Sequence, residues 1–427
     1  MTYNEAIEFI HSVGRFKKTT GLSRIQNLLE ALGNSQEQLR CIHVAGTNGK
    51  GSVCAMLESV LRHAGYRTGL FTSPFIRNFE ERIRVDGECI GEDDLAQITS
   101  EVRAAAEGLE DMPCEFELIT AIGFLYFFRQ KVDVVILEVG LGGRFDATNV
   151  IKTPVLSVIT GIDFDHTELL GNSIQAIAAE KAGIVKEGCP CLYGGSDSSA
   201  CRTIGTIAKL RHAPFHTVDR TEFCVRSQTL DGTVFDFDDY KDLKIPLLGS
   251  FQPYNASIVM TALALIAEQG YPVKEEQIKA GLEHVTWQAR FELLSREPAV
   301  IFDGGHNPQG VGAAIEGMHL YFPEQKVNLI TGVMSDKGYD EMIERLKPIT
   351  EHAFTVCTGG VRSLSAQGYA ESFRLHKVGA TAYETVEDGV RAAIEKAKEN
   401  GCPVLCLGSL YLYRDVADAV KKVLGEQ

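Results

Sequence analysis

The sequence lacks a long apolar run, a block of basic residues and a C-x-x-C cysteine pair. Its apolar runs stay below the roughly 18 to 20 residues that a membrane-spanning helix needs, so no membrane partner is expected. The formal net charge is −15 and lysine and arginine do not cluster, so nucleic acid is not expected as a partner either. The first residues carry two glutamates and no basic segment before the apolar ones, which does not fit a secretory signal.

Cysteine usage favours a reducing compartment. The eleven cysteines are scattered, and the spacing of Cys189 and Cys191 is not by itself a zinc-binding pattern. Cys41, Cys54 and Cys406 lie in apolar runs, where a free thiol behaves as a small hydrophobic group. We therefore expect reduced cysteines and a cytoplasmic protein.

Short apolar runs rich in β-branched residues alternate with helical stretches along the 427 residues. Continuous apolar strands in such an alternation indicate parallel sheets with helices on both faces. The predicted strands are Cys41–Ala45, Val132–Val139, Val155–Thr160, Val300–Phe302, Val327–Thr331, Phe354–Cys357 and Val404–Leu407. Helical spacing is found in Asp93–Glu107, Ser173–Val185 and Val386–Glu399.

The chain is long enough for about two or three domains. Alternating residues such as T-V-F-D-F-D, between about Cys201 and Gly249, predict an antiparallel segment attached to the first domain. A new strand follows Glu292–Pro298, which predicts a boundary there. The sequence thus predicts an α/β protein with a large parallel-sheet domain at residues 1–295 and a smaller α/β domain at residues 296–427.

The stretch Cys41–Ser52, C-I-H-V-A-G-T-N-G-K-G-S, joins a predicted strand to a glycine-rich turn and a helical stretch. The backbone amides of such a turn and the helix dipole bind phosphate, and Lys50 adds a positive charge. The pattern differs from the common phosphate loop, because Val44 stands where glycine is usual and Gly51 displaces Ser52 by one position. We expect a variant nucleotide-binding loop.

Acidic and histidine side chains follow the next two predicted strands. Glu138 ends V-D-V-V-I-L-E, and a carboxylate at the end of a buried strand either holds Mg²⁺ beside a phosphate or forms a salt bridge. His166, in G-I-D-F-D-H-T, is a candidate for metal or phosphate contact, with a structural histidine as the alternative. Asp163 and Asp165 either join it or form the turn.

Lys181 lies on the apolar stripe of the helix predicted from S-I-Q-A-I-A-A-E-K, together with Ile177 and Ala178. A lysine on a buried face either extends its amine to solvent or has a chemical role. In the second case burial favours the neutral amine, which reacts with electrophiles such as CO₂. From the residues alone we favour the solvent-directed lysine.

Further candidates lie at the starts and ends of predicted elements in both halves of the chain. They are Asn255 at a helix start, Arg290 in W-Q-A-R-F-E, Asp303 and His306 in D-G-G-H-N-P, and Ser409 in G-S-L-Y-L. Arg290 could reach a nucleotide across a cleft between domains. Strand ends from two domains suit a site for two substrates.

Taken together, the motifs resemble those of the folylpolyglutamate synthase and dihydrofolate synthase family, within the Mur ligase superfamily. They occur in the family's order: H-V-A-G-T-N-G-K-G-S, T-S-P, E-R-I-R, E-V-G-L-G-G-R-F-D-A-T-N, D-H-T-E-L-L-G, E-K-A-G-I-V-K, D-G-G-H-N-P and G-S-L-Y-L. The resemblance implies a P-loop-containing ATP-binding domain at residues 1–295 and a Rossmann-like glutamate-ligase domain at residues 296–427. It also implies a reaction: ATP-dependent joining of L-glutamate to a folate, or to dihydropteroate, through an acyl phosphate.

The resemblance assigns roles to single residues. The ATP phosphates would contact Asn48, Gly49, Lys50, Gly51 and Ser52, and other parts of ATP would contact Asn255, Arg290 and Asp303. Two Mg²⁺ ions would bind, one at Ser73 and Glu138 and one at Glu138 and His166, with K⁺ as a further cation. The incoming amino acid would contact His306 and Ser409.

Lys181 matches the family's carbamylated lysine, N6-carboxylysine, and this reverses the preference for a solvent-directed side chain. The catalytic set would then consist of Lys50, Glu138, His166 and Lys181. Four positions depart from the family's pattern: Phe75 and Phe251 where histidine is common, Ala289 where glycine is common, and Gly338 where aspartate is frequent. None removes a metal or phosphate residue, so they bear on substrate preference.

Three other functions are weaker interpretations. A cell-wall Mur ligase is disfavoured by Gly51 and by the missing UDP-muramoyl-type N-terminal domain. A P-loop kinase or NTPase would need neither Lys181 nor D-G-G-H-N, and a non-catalytic nucleotide-binding regulator would not need the metal-ligand set. We expect a monomer whose partners are small-molecule substrates.

Overall fold

The computed structural model describes residues 1–14, 21–335, 338–360 and 362–425, and its contacts divide them into two units. The first unit comprises Met1–Cys224, Asp236–Leu243 and Tyr254–Val285. The second comprises Val225–Phe235, Lys244–Pro253 and Thr286–Gln427. The predicted limits, 1–295 and 296–427, place the change of domain inside a strand, Glu292–Arg296.

The first unit is built on a sheet of eight strands among the described residues, in the order β4-β3-β2-β5-β1-β6-β7-β8. The strands are β1 (Cys41–Ala45), β2 (Thr68–Phe71), β3 (Ile83–Val85), β4 (Glu88–Cys89), β5 (Val134–Glu138), β6 (Leu156–Ile159), β7 (Cys191–Tyr193) and β8 (Phe215–Thr217). The six strands from β2 to β8 in this order are parallel, and only β3 and β4, at one edge, are antiparallel.

Helices flank this sheet. They are α1 (Tyr3–Ser12), α2 (Ser23–Ala31), α3 (Lys50–His63), α4 (Glu92–Glu107), α5 (Glu115–Gln130), α6 (Thr167–Leu170), α7 (Ile174–Lys181), α8 (Ser198–Leu210), α9 (Gln252–Ala267) and α10 (Glu275–Glu283). Every residue of β1, β2, β5, β6 and β7 is buried, as expected for parallel strands covered on both faces.

Three further strands, β9 (Phe223–Thr229), β10 (Gly232–Phe237) and β11 (Tyr240–Ile245), form a separate sheet in chain order. Two-residue connections join them, and such short connections allow only antiparallel pairing. The antiparallel segment is therefore real but shorter than the predicted range from Cys201 to Gly249. Helix α8 and strand β8 occupy the first part of that range, because their apolar residues pack on the parallel sheet.

The second unit contains a sheet of six strands among the described residues, in the order β12-β13-β17-β14-β15-β16. The strands are β12 (Glu292–Arg296), β13 (Ala299–Phe302), β14 (Val327–Thr331), β15 (Thr350–Thr355), β16 (Ala380–Ala382) and β17 (Val404–Leu407). All neighbours are parallel except β12 and β13. Its helices are α11 (Pro308–Tyr321), α12 (Tyr339–Leu346), α13 (Ala366–Leu375), α14 (Val386–Asn400) and α15 (Tyr413–Leu424).

The predicted fold class is confirmed: two α/β units with mostly parallel sheets, the first larger than the second. Each has its own apolar core, around β2 and α5 in the first and around β14 and α13 in the second. No helix within the described residues has the length and apolarity to cross a membrane.

Candidate active site

The glycine-rich turn lies where β1 ends and α3 begins. Helix α3 starts at Lys50, so Lys50, Gly51 and Ser52 form its first turn, and Gly49 is its N-cap with φ of 84°. A Cβ on Gly46 would lie 1.9 Å from Thr160 Oγ1, and a Cβ on Gly49 would lie 2.5 Å from Asn255 Oδ1. A larger residue at either position would have to displace these side chains. The turn therefore presents backbone amides at a helix N-terminus, the geometry that binds phosphate.

Hydrogen bonds fix the turn to the loop that follows β6. Thr47 N donates to Gly161 O at 2.8 Å, and Thr160 Oγ1 donates to Asn48 O at 2.7 Å. Thr47 Oγ1 accepts from Asp163 N at 3.0 Å. These contacts fix the conformation of the phosphate loop, although Asn48 itself is exposed at its tip.

Two lysine amines converge on the carbonyl of Gly46. Lys50 Nζ donates to Gly46 O at 3.1 Å and lies 3.3 Å from Thr47 O. Lys181, the last residue of α7, donates from Nζ to the same Gly46 O at 2.9 Å. The structure thus brings together two residues that lie far apart in the sequence.

Lys181 is only 5% exposed, and it shares the buried face of α7 with Ile177 and Ala178. The solvent-directed side chain favoured from the residues alone is therefore wrong. Burial lowers the pKa of Lys181 to about 7, with the charge of Lys50 acting in the same direction and Asp165 and Asp146 opposing it. At neutral pH a large fraction of this amine is unprotonated, and an unprotonated amine is a nucleophile.

Glu138 ends β5, beside the phosphate loop, and its side chain is buried. Strand β5 pairs with β1 so that Glu138 aligns with Val44, one residue before the end of β1. Ser73 lies two residues beyond β2, and its backbone N donates to Glu138 Oε2 at 3.0 Å. Ser73 and Glu138, predicted to share one Mg²⁺, therefore lie together, but the contact uses the backbone amide of Ser73 and not its hydroxyl. Carboxylate and hydroxyl oxygens are ligands that Mg²⁺ prefers, and a shared Mg²⁺ site at this pair stays a prediction.

His166 lies at the start of α6 with φ of 48°, and its side chain is 44% exposed. Its Nε2 is 3.8 Å from Asp165 Oδ2, and its backbone N donates to Asp165 Oδ1 at 2.9 Å. Asp163 Oδ1 likewise accepts from Phe164 N at 2.7 Å, so both aspartates bond to the turn as the alternative interpretation proposed. In the described part of the chain, no three His, Cys, Asp or Glu side chains form a group that could hold a metal.

Asn255 lies in the first turn of α9, where the sequence placed a helix start. Its Oδ1 faces Gly49, so this amide borders the phosphate loop. A contact of this kind would place the side chain within reach of a nucleotide bound to the loop.

In the second unit, Asp303 follows β13 and is buried. Its Oδ2 accepts from Phe291 N at 2.8 Å and its Oδ1 from Gly305 N at 2.7 Å. Burial raises the pKa of Asp303, while the charge of Arg290 and these two amides lower it. The guanidinium group of Arg290 lies next to Gly304, since a Cβ built on Gly304 would be 3.1 Å from Arg290 Nη1. Asp303 and Arg290 thus belong to one small cluster.

His306 and Ser409 lie on neighbouring strand ends of the second unit, because β13 pairs with β17. Gly408 N donates to Gly305 O at 3.0 Å, which joins the two loops. His306 Nδ1 is 3.0 Å from Gly304 O, and Ser409 Oγ accepts from Tyr411 N at 3.3 Å. The structure therefore places these two predicted residues side by side.

The four departures from the family's pattern lie in different settings. Phe75 packs against the core of the first unit and under Arg82, whose Cζ lies 5.1 Å from the ring centroid. Phe251 packs on the core of the second unit. Ala289 has φ of 58°, a left-handed conformation that explains the usual glycine there, and Gly338 is the N-cap of α12.

Sequence reasoning missed the residues that hold Lys181 in place. The loop after β5 packs against the end of α7: Arg144 N donates to Glu180 O at 2.8 Å, and Asn149 Nδ2 donates to Gly183 O at 3.0 Å. In the sequence these residues belong to the motifs E-V-G-L-G-G-R-F-D-A-T-N and E-K-A-G-I-V-K, but the motifs do not show that the two segments are in contact.

A phosphate loop at the first strand of a parallel sheet, a strand-end carboxylate beside it and a second α/β unit define an ATP-dependent ligase of the Mur type. The Mur ligase middle domain family matches residues 44–263, and the Mur ligase, glutamate ligase domain, matches residues 289–410. The ligase class is therefore shown for this chain.

The curated relatives show which family of Mur-type ligases the chain belongs to. The chain is 38% identical to folylpolyglutamate synthase of Lacticaseibacillus casei over 99% of both chains. It is 36% identical to dihydrofolate synthase/folylpolyglutamate synthase of Bacillus subtilis (strain 168), over 98% of this chain and 99% of that protein. The chain belongs to the folylpolyglutamate synthase and dihydrofolate synthase family, as its motifs indicated.

Solved structures agree in fold over almost the full length. Folylpolyglutamate synthase from Thermotoga maritima superposes with a TM-score of 0.85 at 30% identity, over 97% of this chain and 96% of that one. A folylpolyglutamate synthase in complex with AMPPCP and folate superposes with a TM-score of 0.84 at 36% identity, over 99% of this chain and 100% of that one.

Proposed function

We propose that this chain uses ATP to add L-glutamate to tetrahydrofolate and its polyglutamates, and that it also accepts dihydropteroate. Relatives named for folylpolyglutamate synthase alone and for both synthases support the two acceptors. The observation that carries the proposal is the buried amine of Lys181 on the Gly46 carbonyl of the phosphate loop. A P-loop kinase has no need of a second buried lysine there.

The reaction joins a carboxylate to an amine. A carboxylate oxygen of the acceptor attacks the γ-phosphorus of ATP, ADP leaves, and the product is an acyl phosphate. The α-amine of glutamate then attacks the acyl carbon, phosphate leaves, and the amine loses a proton as the amide forms. Such phosphoryl transfers depend mainly on positioning and on electrostatic stabilisation.

The first unit would supply the phosphate site. The amides of residues 46–51 cradle the phosphates, with Asn48, Gly49, Gly51 and Ser52 in the contact set. Lys50 would leave its internal bonds to Gly46 O and Thr47 O and place its charge on the phosphate. Bound Mg²⁺, held by Ser73 and Glu138 and, at a second site, by Glu138 and His166, would neutralise charge on the transferring group.

Lys181 would react with CO₂ to form N6-carboxylysine. The neutral amine attacks the carbon of CO₂ and releases one proton, so a neutral side chain becomes an anionic carbamate. The lowered pKa makes the neutral amine available near pH 7. The carbamate would help to anchor the metal through its ligands or waters.

Arg290, Asp303 and Asn255 would contact ATP. His306 and Ser409 would contact glutamate. Asp303 is rigidly placed by two backbone amides, which suits a residue that orients a ligand. We further propose K⁺ as an additional cation, a monomeric state and a cytoplasmic location, in line with eleven free cysteines.

A single assay tests the function. The protein is incubated with ATP, Mg²⁺ and L-glutamate plus tetrahydrofolate, dihydropteroate or a UDP-muramoyl peptide, and phosphate release and glutamylated product are measured. We expect both signals with tetrahydrofolate and with dihydropteroate and neither with the peptide. Product from the peptide alone would indicate a cell-wall ligase, and phosphate release that ignores every acceptor would indicate a plain NTPase.

A further inference from the structure

The loop that follows β5 is locked to the C-terminal end of α7. Arg144 N donates to Glu180 O at 2.8 Å. A Cβ on Gly143 would lie 2.8 Å from the carbonyl oxygens of both Glu180 and Lys181, so the loop backbone rests directly on the backbone of Lys181. On the other side of the lysine, a Cβ on Gly183 would lie 2.4 Å from Arg144 Cα. No side chain separates the two segments.

Asn149 hydrogen-bonds to both of these segments. It lies in the short 3-10 helix Ala147–Val150 and is 4% exposed. Its Nδ2 donates to Arg144 O at 2.9 Å and to Gly183 O at 3.0 Å, so one amide group ties the loop to the turn that ends α7. The reversed amide orientation would set an oxygen against two carbonyl oxygens and is excluded.

The remaining polar atoms of Asn149 are its side-chain and backbone oxygens. Asn149 Oδ1 is buried and has no hydrogen-bond partner in the parts of the chain that the structure describes. The backbone carbonyl of Asn149 also accepts from Lys186 Nζ at 2.9 Å, which adds a third tie to the segment after α7. The residue therefore holds a fixed geometry rather than only filling space.

The amine of Lys181 depends on that geometry. A lysine side chain has four rotatable bonds, so the position of Nζ is defined only when its backbone and its surroundings are both fixed. Lys181 Nζ reaches Gly46 O at 2.9 Å from a backbone that packs against Gly143, while Gly183, two residues further on, packs against Arg144 of the same loop.

We propose that Asn149 is a positioning residue that sets the amine of Lys181 at the phosphate loop through its two bonds to Arg144 O and Gly183 O. The inference deepens the proposed function, because Lys181 matters to the reaction only if that function holds. Asn149 touches no substrate and acts through the backbone on both sides of Lys181.

Two variants test this residue. Asn149→Asp keeps the shape but sets a carboxylate oxygen against two carbonyls, and Asn149→Ala removes both donors with less repulsion. Asn328→Asp is the matched control, because Asn328 is also buried and also donates from Nδ2 to two acceptors, Asn400 Oδ1 and Cys402 O, in the second unit. Crystal structures and bicarbonate-dependent turnover are measured for all of them.

In the Asn149 variants we expect Lys181 Nζ to lie beyond hydrogen-bond distance of Gly46 O. We also expect the bicarbonate concentration for half-maximal turnover to rise about tenfold, the lower end of effects seen for residues that orient a functional group. In Asn328→Asp the amine should stay in place and the bicarbonate requirement should stay within about twofold. A general loss of stability would lower the activity of the two Asn149 variants without changing the bicarbonate concentration for half-maximal turnover.

The outcomes distinguish a failure of the positioning role of Asn149 from a failure of the proposed function. If Lys181 Nζ keeps its bond to Gly46 O in Asn149→Ala or in Asn149→Asp, the positioning role is refuted. If the wild-type protein shows no folate-dependent turnover, or turnover without bicarbonate dependence, the proposed function or its carbamate fails. The crystallographic distance still decides the role of Asn149 in that case.

Discussion

Replacing Lys181 by methionine should make the protein more stable while removing its activity. Methionine is unbranched like lysine, one heavy atom shorter, and carries no charge. Burial lowers the pKa of Lys181 from the ordinary 10.5 to about 7, which means that the folded state releases a proton that the unfolded state keeps. Between these two pH values the unfolded chain binds more protons, so the stability of the wild-type protein rises with pH.

The magnitude follows from the pKa difference. Each pKa unit corresponds to about 1.4 kcal/mol, so the buried lysine costs about 4 kcal/mol at pH 7 and only about 1 kcal/mol at pH 10. Methionine avoids this cost and loses one hydrogen bond, worth about 1 kcal/mol. Gly46 O is not left unpaired, because Lys50 Nζ still donates to it. Lys181→Met should therefore be about 3 kcal/mol more stable at pH 7 and nearly equal to wild type at pH 10.

The assay is thermal unfolding of both proteins in CO₂-free buffer from pH 7 to pH 10, where groups common to both cancel in the difference. About 3 kcal/mol corresponds to a rise of roughly 8 °C in the transition of a unit of this size. Lys152→Met is the control, because the Lys152 side chain is 74% exposed and should give no pH-dependent difference. A Lys181→Met protein that is less stable at pH 7, or a difference that does not shrink towards pH 10, would refute the reasoning.

Three further predictions concern activity. Lys181→Ala should lose most turnover and regain part of it with added acetate, measured as phosphate release; near-wild-type turnover without acetate would contradict the carbamate. Gly49→Ala should raise the KM for ATP at least about tenfold, since its Cβ would meet Asn255 Oδ1 at 2.5 Å and its φ is 84°. Gly65→Ala, with φ of 90° and open space around it, should leave that KM unchanged and so isolates the steric effect from backbone strain. Glu138→Gln should raise the Mg²⁺ concentration for half-maximal turnover about tenfold, and an unchanged requirement would remove Glu138 from the metal site.

Local patterns predicted the elements that lie in the sheets well. The predicted limits of Cys41–Ala45, Val327–Thr331 and Val404–Leu407 agree with β1, β14 and β17 residue for residue. These strands are buried on both faces, so an uninterrupted apolar run marks their length. The segment from Cys201 to Gly249 was harder, because a surface helix and a short edge strand have mixed patterns that only their packing resolves.

The candidate site also contains residues whose positions the sequence predicted and residues whose positions it did not. Ser73 and Glu138 contact each other because β2 and β5 are neighbours, Glu138 ends β5 and Ser73 lies two residues beyond β2. His166 is half exposed and bonded to Asp165, and its proposed metal role remains a prediction. Its position depends on a turn outside the regular elements, where residue spacing carries little information about distance.

The sequence by itself determined the alternation of strands and helices, the glycine-rich turn before α3 and, through its motifs, the ligase family. These properties depend on residues that are contiguous in the sequence, so the periodicity of apolar residues and the short motifs reveal them. Only the tertiary structure decided that Lys181 is buried with its amine on Gly46, 135 positions away, and that Asn149 bonds to Gly183 just after it. The burial and the pKa of an amine depend on groups that come from distant parts of the chain. No local sequence pattern shows which of these groups lie close together in space.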